Sequence, residues 1–333
     1  MASVANYEDF GSSQFDISQS GTLLYHRGET VGLRTIAWLD AAGTLETVLG
    51  EPGMYIYPKV SPDGREIAYG MASGTTADIW VYDWRTRRKT KLTEGPGQKM
   101  YPVWTPDGRY LVFAESGAIV SVRADGSAAA RALIKSAGSA SPYAFSADGA
   151  FLAYVAGSTD KGWSLMTVPI TQSRDGLNAG APDRFVELES GAATTAFSPD
   201  GHWIAYTSNE SGTFEVYVRE FPGKGTRTII SSGGGMMPMW SHNGRDLFYR
   251  TEDQRLMAVS YTVKKDGTFV AESPRVWSSK SIANLGMSSN VDLAPDGRFA
   301  VLVPADPPEP QQTRGHFTLV LNFADDIRRR FAR

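Results

Sequence analysis

The chain of 333 residues contains no cysteine. This absence excludes disulfides, thiolate metal sites and cysteine nucleophiles, and it is compatible with a reducing or an oxidising compartment. No apolar run approaches the roughly 18 residues that a membrane-spanning helix needs, and no basic segment followed by an apolar one opens the chain. We therefore expect the chain as given to be soluble and not to insert into a membrane.

An excess of charge of either sign is also missing. The 33 basic and 36 acidic residues are evenly mixed, and the formal net charge is -3. A nucleic-acid-binding surface usually shows a basic patch or stripe, which this sequence lacks. We therefore expect no nucleic-acid partner.

One short motif recurs along the chain. It reads SPDGREIAY at 61–69 and SPDGHWIAY at 198–206. Near copies begin at Thr105, Ser146, Ser241 and Ala294, and a degenerate copy begins at Ser18. Seven copies with a period of roughly 45 residues indicate an array of equivalent structural units.

Each unit reads as four short strands. The motif predicts a tight turn between two strands, because proline presets the backbone, aspartate caps the turn and glycine accepts a positive φ. Two further β-rich runs follow each hairpin, and such a unit is typical of a propeller blade. We therefore predict a single all-β domain over residues 1–333, a seven-bladed β-propeller of four-stranded antiparallel blades. The alternative is six blades, in which the degenerate first unit pairs into its neighbour. The units are expected to start near residues 14, 57, 101, 142, 194, 237 and 290.

Closure of the propeller ring depends on strands from the two ends of the chain. The seventh unit supplies a hairpin at 290–303 and a third strand at 317–323, but no fourth strand. Residues 2–10 could supply that outer strand. We also expect these residues to be the artificial start of a domain cut from a longer protein. Residues 323–332 combine an apolar stripe with early aspartates and late arginines, which predicts a short C-terminal helix.

Once its units are aligned, the chain resembles the TolB-like, WD-repeat-like propellers that carry a Ser-Pro-Asp-Gly turn. It is similar above all to propellers fused behind bacterial membrane-anchored serine/threonine kinases. The residues that carry this resemblance are GTLLYHRG (21–28), YPKVSPDG (57–64), SPDGHWIAYTSNESGTFEVYVREFPG (198–223), GGGMMPMWSHNGRDLFYR (233–250) and VLNFADDIRRR (320–330).

The resemblance implies a sensor or protein-binding module, extracytoplasmic or periplasmic in its parent protein and possibly fused there to a kinase domain. The kinase itself is not in this sequence. We find no glycine-rich phosphate loop, no His-Arg-Asp catalytic loop and no Asp-Phe-Gly. The chain is therefore not expected to phosphorylate a substrate by that machinery.

The aspartates of the motif are the most numerous candidate acids. We interpret them as turn residues, because the turns of neighbouring blades lie a blade width apart. Asn243 stands in for aspartate in one copy, and asparagine serves a turn equally well. The acids concerned are Asp63, Asp107, Asp148, Asp200 and Asp296.

Function is therefore sought at positions where the copies differ. Two residues before the motif, the seventh, first and second units carry Asp292, Asp16 and Lys59, which a closed ring would place side by side near the tunnel. One interpretation is an ion pair that closes the ring, since buried charges are kept when paired. The other is a polar ligand-binding pocket or cation site at the tunnel mouth, to which Asn290, Tyr57 and Tyr101 would add oxygen groups.

Other candidates lie in loops. Glu210 is the best exposed acid on the expected ligand face, although its NESG loop is also compatible with a plain turn that exposes polar side chains. His26 and His316 could approach each other and hold a metal ion as a pair, and Asp16 and Asp292 could hold one at the tunnel mouth with Asn290 and a histidine. Loops 71–78 and 304–315 could contact a partner.

Two functions follow from these residues. The first is a non-enzymatic propeller that binds a protein or a small molecule and requires no cofactor. The second is a metal-dependent hydrolase of lactones or phosphate esters, with calcium or zinc at the tunnel mouth polarising the ester and activating water. We identify no catalytic residue, and a structural scaffold is a third interpretation.

Overall fold

The computed structural model describes residues 32–305 except 137, 159, 190–192 and 281, and the short segments 6–7, 12–13, 15–18, 22–26 and 317–320. In these residues the structure is all β, without a helix. No helix of the described residues could therefore span a membrane. The predicted C-terminal helix at 323–332 lies outside the described residues.

The described strands are short and follow one another closely. The first fourteen are β1 (Asn6–Tyr7), β2 (Ser12–Ser13), β3 (Phe15–Ile17), β4 (Leu23–His26), β5 (Arg34–Leu39), β6 (Leu45–Gly53), β7 (Tyr55–Val60), β8 (Glu66–Ser73), β9 (Thr76–Asp83), β10 (Arg88–Lys91), β11 (Lys99–Trp104), β12 (Tyr110–Glu115), β13 (Ala118–Arg123) and β14 (Arg131–Ile134). The next nine are β15 (Ser139–Phe145), β16 (Phe151–Ser158), β17 (Gly162–Ser173), β18 (Gly176–Ala179), β19 (Asp183–Leu188), β20 (Thr195–Phe197), β21 (Trp203–Ser208), β22 (Glu215–Glu220) and β23 (Thr228–Ile229). The last eight are β24 (Met236–Trp240), β25 (Asp246–Arg250), β26 (Leu256–Val263), β27 (Phe269–Ala271), β28 (Arg275–Ser278), β29 (Val291–Leu293), β30 (Phe299–Pro304) and β31 (Phe317–Val320).

These strands divide between two compact units. One comprises Thr35–Val303, and the other comprises Met1–Arg34 with Pro304–Arg333. In the second unit β4 lies between β3 and β31, and β1 pairs with β2. The expectation that the whole chain is one propeller domain stays a prediction.

The larger unit is a β-propeller of six antiparallel sheets, which confirms the predicted fold class. Blade 1 is β7–β10, blade 2 is β11–β14, blade 3 is β15–β19, blade 4 is β20–β23, blade 5 is β24–β28, and blade 6 has the strand order β29-β30-β5-β6. The described structure thus has the six blades of the alternative expectation, and a seventh blade is not confirmed.

Blade 6 closes the ring with strands from both ends of the unit. Its third strand is β5 and its outer strand is β6. The expectation of a third strand at 317–323 and an outer strand at 2–10 is therefore wrong. β31 pairs instead with β4, and β1 pairs with β2. The physical reason is burial, because Ala37 and Leu39 of β5 join the same apolar cluster as Phe299 of β30.

Apolar side chains between neighbouring blades form the core. Trp104 of blade 2 packs with Ala68 and Ile79 of blade 1. Its indole Nε1 also donates to the Lys59 carbonyl at 3.0 Å. Trp240 of blade 5 repeats this contact with a carbonyl of blade 4. Since a buried indole N–H needs an acceptor, each tryptophan ties two blades together through packing and a hydrogen bond.

The repeated motif forms the expected turns. In blade 3 the Ser146 hydroxyl donates to Asp148 Oδ1 at 2.6 Å and accepts the N–H of Phe151 at 2.9 Å. Gly149 has a φ of 72°, which favours glycine. The corresponding hydroxyl contacts occur at Ser61, Thr105, Ser198 and Ser241. The aspartates of the motif are therefore turn residues, as predicted.

These turns make stability depend on pH. The Ser146 hydroxyl, followed by the backbone N–H of Ala150, lowers the pKa of Asp148 below its ordinary value of 3.8. A carboxyl whose pKa is lower in the folded state stabilises the fold fully above its unfolded pKa, and loses that effect as the pH falls through the folded pKa. We expect Asp148→Asn to be less stable than wild type at neutral pH, and this difference to shrink as the pH falls below the ordinary carboxyl pKa of 3.8.

Urea unfolding of both proteins at several pH values measures this effect. The exposed loop residue Asp175 supplies the control, because Asp175→Asn removes the same charge outside a motif turn. A difference between Asp148→Asn and wild type that is the same at every pH would contradict the assignment.

Candidate binding site in the propeller tunnel

The first strands of the six blades surround a tunnel. At the end near the motif turns the tunnel widens into a chamber of about 390 Å³. The second residue of each motif lines this chamber: Pro62, Pro106, Ala147, Pro199, His242 and Pro295. Toward the opposite face the tunnel narrows to a throat with a free volume of about 40 Å³. The wider end of the tunnel is therefore on the face of the motif turns, whereas we expected from the sequence that ligands bind at the opposite face.

The ion pair of Lys59 and Asp292 connects blades 1 and 6 inside the chamber. Lys59 Nζ lies 2.8 Å from Asp292 Oδ1, and the exposed fractions of the two side chains are 28% and 13%. Asp292 Oδ2 also accepts the backbone N–H of Val60 at 2.9 Å. The sequence placed Asp292, Asp16 and Lys59 side by side. The structure brings Lys59 and Asp292 into contact as a pair that joins the first and last blades, whereas Asp16 belongs to the other unit.

β-Bulges shape the throat, because the pairing of first and second strands shifts register in four of the described blades. One shift lies at Tyr143. The other three lie next to Tyr57, Tyr101 and Met237, each of which precedes a proline. Their φ angles are 53°, 57° and 57°. Non-glycine residues seldom adopt this left-handed conformation, and such backbone strain concentrates at functional sites. The bulges let these three side chains line the tunnel in place of the regular strand alternation.

The throat is a cluster of tyrosines. The ring centroids of Tyr57 and Tyr101 lie 4.4 Å apart, and those of Tyr101 and Tyr143 lie 5.6 Å apart. The Tyr57 hydroxyl lies 3.2 Å from Ser288 Oγ. Burial raises the pKa of all three phenols. They therefore stay neutral at physiological pH and can donate or accept hydrogen bonds.

The other predicted site residues lie elsewhere. Asn290 is fully buried, and its Nδ2 donates to Gln254 Oε1 at 2.9 Å. Glu210 forms an ion pair with Arg227 on the outside of blade 4. Asp16 pairs in β3 with Leu24, outside the propeller unit.

The metal-site prediction involves two histidines as well. His26 pairs through its backbone with Phe317, and His316 lies outside the described residues. Within the described part of the chain no three histidine or acidic side chains form a group that could hold a metal ion. Asp292, the one predicted metal ligand in the propeller, is engaged by Lys59. The hydrolase with calcium or zinc stays a prediction.

Sequence reasoning missed several residues of the tunnel. Tyr143 was not recognised because it follows the proline of its strand, whereas Tyr57 and Tyr101 precede theirs. The chamber was missed because the turns were treated as structural only. A usable signal was the proline that recurs at the second position of the motif. Side chains at equivalent positions of all blades must line the same rim of a closed propeller.

Comparison with known proteins bears on the fold. No protein-family model matches the chain, and no curated protein matches it. A structure described as putative TolB from Agrobacterium tumefaciens superimposes with a TM-score of 0.61 and 16% identity, over 83% of this chain and 99% of that chain. A chain of a nidogen/laminin complex gives 0.51 and 10%, over 74% and 100%.

An enzyme is also among the similar structures. A puromycin hydrolase mutant matches with a TM-score of 0.51 and 15% identity, over 86% of this chain and 58% of that chain. At such low identities the likeness concerns the fold and carries no function with it. The chain is therefore a β-propeller with structural similarity to TolB.

Proposed function

We propose that this chain is a non-enzymatic binding propeller whose chamber takes a segment of a protein partner. The observation that carries the proposal is the chamber itself. Its volume of about 390 Å³ falls within the range of roughly 300–1,000 Å³ that is usual for binding sites. All six blades contribute to its wall.

The lining of the chamber supports binding of an apolar segment. Trp104, Trp240 and Phe145 line it together with the motif prolines. The indole N–H groups of both tryptophans already donate to backbone carbonyls, so their rings offer apolar surface. The Lys59–Asp292 pair supplies charge at one side. A mostly apolar wall with a few polar groups gives affinity through burial and orientation through the polar contacts.

We further propose that this binding serves a sensor or interaction domain of a kinase-like bacterial receptor, located extracytoplasmically. The support is the sequence resemblance over the motif copies and over 198–250. The TolB-like fold is consistent with it. In this view occupancy of the chamber is the signal, and a kinase in the same polypeptide or bound to it reads that signal.

A substitution that fills the chamber tests the proposal. Ala196 lines the chamber and is half-buried. Ala196→Trp would place an indole in the space that a partner segment needs. We expect the proteins that wild type enriches from bacterial extract to be retained at least about tenfold more weakly, which corresponds to about 1.4 kcal/mol.

The matched control is Ala132→Trp, which adds the same side chain at an exposed position of the outer strand β14. Thermal unfolding of both variants establishes that they fold. Equal retention by wild type and both variants would show that the chamber takes no part in binding. A kinase among the proteins lost with Ala196→Trp would support the receptor proposal.

A further inference from the structure

A second cavity of about 360 Å³ lies away from the tunnel chamber. Its walls are the loop between β21 and β22, the connection from β23 to β24, the loop between β25 and β26, and the connection from β28 to β29. In a propeller blade these loops and connections lie at the end opposite the motif turns. Thr213, Glu252, Asn284 and Gly286 are exposed around the cavity, whereas Met236, Arg250 and Gln254 are buried.

Arg250 is the unusual member of this lining. Its side chain is completely buried, with an exposed fraction of 0%. The guanidinium donates to Gln254 Oε1 at 3.0 Å and to the Gly286 carbonyl at 2.5 Å, and it contacts Met236 Sδ at 2.8 Å. All three partners are neutral. Its Nε has no hydrogen-bond partner, and no carboxylate of the described residues lies within 4 Å of it.

A buried cation without an anion is unfavourable. Removing a charge from water costs several kcal/mol unless a counter-charge compensates it, so buried arginines are normally paired. Burial lowers the pKa of Arg250 to about 10, and the side chain is therefore still charged at neutral pH. The fold alone does not supply the negative charge that this position calls for.

The repeat shows that the propeller does not need an arginine here. The equivalent residue after the motif is small or uncharged in the other five blades: Gly70, Ala114, Val155, Thr207 and Val303. Arg250 is therefore a feature of one blade only among the six, and it lines this cavity.

A second unsatisfied atom belongs to the same network. Gln254 Oε1 accepts from both Arg250 and Asn290, and Asn290 Oδ1 has no partner although it is buried. Gln254 itself has a φ of 66°, in the left-handed region. An unpaired donor and an unpaired acceptor are thus held around one glutamine.

We propose that this cavity binds a single carboxylate, with Arg250 as the residue that pairs with it. The unpartnered Nε–H can donate to a carboxylate oxygen, and the carboxylate supplies the missing counter-charge. One monoanion balances one uncompensated cation, whereas a phosphate dianion would meet the carboxylate of Glu252 at the same cavity. The carboxylate could belong to a small organic acid or to the C-terminus of a peptide, and both present the same group.

The experiment measures melting temperature of the full chain against added probe at constant ionic strength. The probes are N-acetylglycine, N-acetyl-triglycine with a free carboxylate, its carboxamide, and inorganic phosphate. A ligand that binds only the folded state raises the melting temperature in proportion to its occupancy. We expect the carboxylate probes to raise it, and the carboxamide to leave it unchanged. A response to N-acetyl-triglycine alone points to a peptide terminus, and a response to both acids points to small acids.

Variants assign the effect to Arg250. Arg250→Met should raise the half-saturating probe concentration at least about tenfold, which is the effect of losing roughly 1.4 kcal/mol of binding free energy. Arg255→Met is the matched control, because Arg255 is exposed on the same hairpin and pairs with Asp253. This control should bind the probes as wild type does.

Three results would overturn the proposal: no response of wild type to either acid, an equal response of Arg250→Met, or a response to phosphate alone. If Arg250→Met does not fold, Arg250→Lys keeps the charge but loses the planar fork, and it should bind more weakly than wild type. A structure of wild type with N-acetylglycine must then place the carboxylate beside Arg250. The chamber variant Ala196→Trp should respond normally, which separates this proposal from the proposed function.

Discussion

Replacing Phe299 by alanine lowers the free energy of unfolding by about 3–5 kcal/mol. Phe299 is fully buried in the second strand of blade 6. Its ring lies edge-on to Phe248 at 5.2 Å and to Trp277 at 4.6 Å, both in blade 5. The substitution therefore removes apolar burial and leaves a cavity at the interface through which the last blade joins the ring.

Urea unfolding followed by tryptophan fluorescence and circular dichroism measures this loss. Val276→Ala is the control, because Val276 is half exposed on β28 of blade 5 and its truncation should change stability by no more than about 0.5 kcal/mol. A loss below about 1 kcal/mol for Phe299→Ala would contradict the described interface between blades 5 and 6.

Glu215→Ala lowers the free energy of unfolding by about 2–4 kcal/mol, because buried hydrogen-bond donors lose their acceptor. Glu215 Oε1 accepts the backbone N–H groups of Gly233 and Gly234, each at 3.0 Å. Its Oε2 accepts the hydroxyl of Ser231. Glu215 is 5% exposed, and its carboxylate holds the connection between blades 4 and 5 in place.

The conservative variant Glu215→Gln retains one carbonyl acceptor, so we expect a smaller loss than for alanine. Glu187→Ala supplies the control, since Glu187 is an exposed acid on the outer strand of blade 3. If Glu215→Ala and Glu187→Ala were equally stable, Glu215 would have no structural role. Because Gly233 and Gly234 also line the Arg250 cavity, Glu215→Ala should weaken binding of the carboxylate probes as well.

The two proposed sites differ in chemistry and in position. The tunnel chamber is walled by aromatic rings and prolines and contains one satisfied ion pair. The second cavity contains a cation that no acid of the described residues satisfies. An apolar segment suits the first and a carboxylate suits the second. A protein partner could occupy either site without the other. Ala196→Trp therefore tests the chamber alone, and Arg250→Met tests the second cavity alone.

The contact between Lys59 and Asp292 shows how much of the site can be predicted from positions in the motif copies. Both residues stand two positions before their motif, but in the seven-bladed ring expected from the sequence the blade of Asp16 would lie between their blades. They come within 2.8 Å of each other because the six blades of the described structure make their two blades neighbours. Asp16 holds the same place in the first copy, but the structure gives that copy no blade in the propeller unit.

Arg250 could have been found from the sequence. It is the only charged residue at its repeat position among the six motif copies that belong to blades. What the sequence could not tell is that its surroundings contain no acid. Glu252 is only two residues away along the chain and yet lies in an exposed turn without reaching the guanidinium. Burial and charge compensation depend on contacts between loops of three blades.

The sequence by itself determined the unit of this protein: a hairpin with a serine-aspartate turn, two further strands, and their repetition around a ring. These features are local, because the serine hydroxyl, the aspartate and the glycine that shape each turn lie within four residues of one another. Only the tertiary structure decided how the ring closes. Either β5 or β31 could have been the third strand beside β30, since backbone hydrogen bonding does not distinguish two short β-rich segments. Burial of Leu39 against the cluster around Phe299 favours β5, and that contact joins residues far apart in the chain.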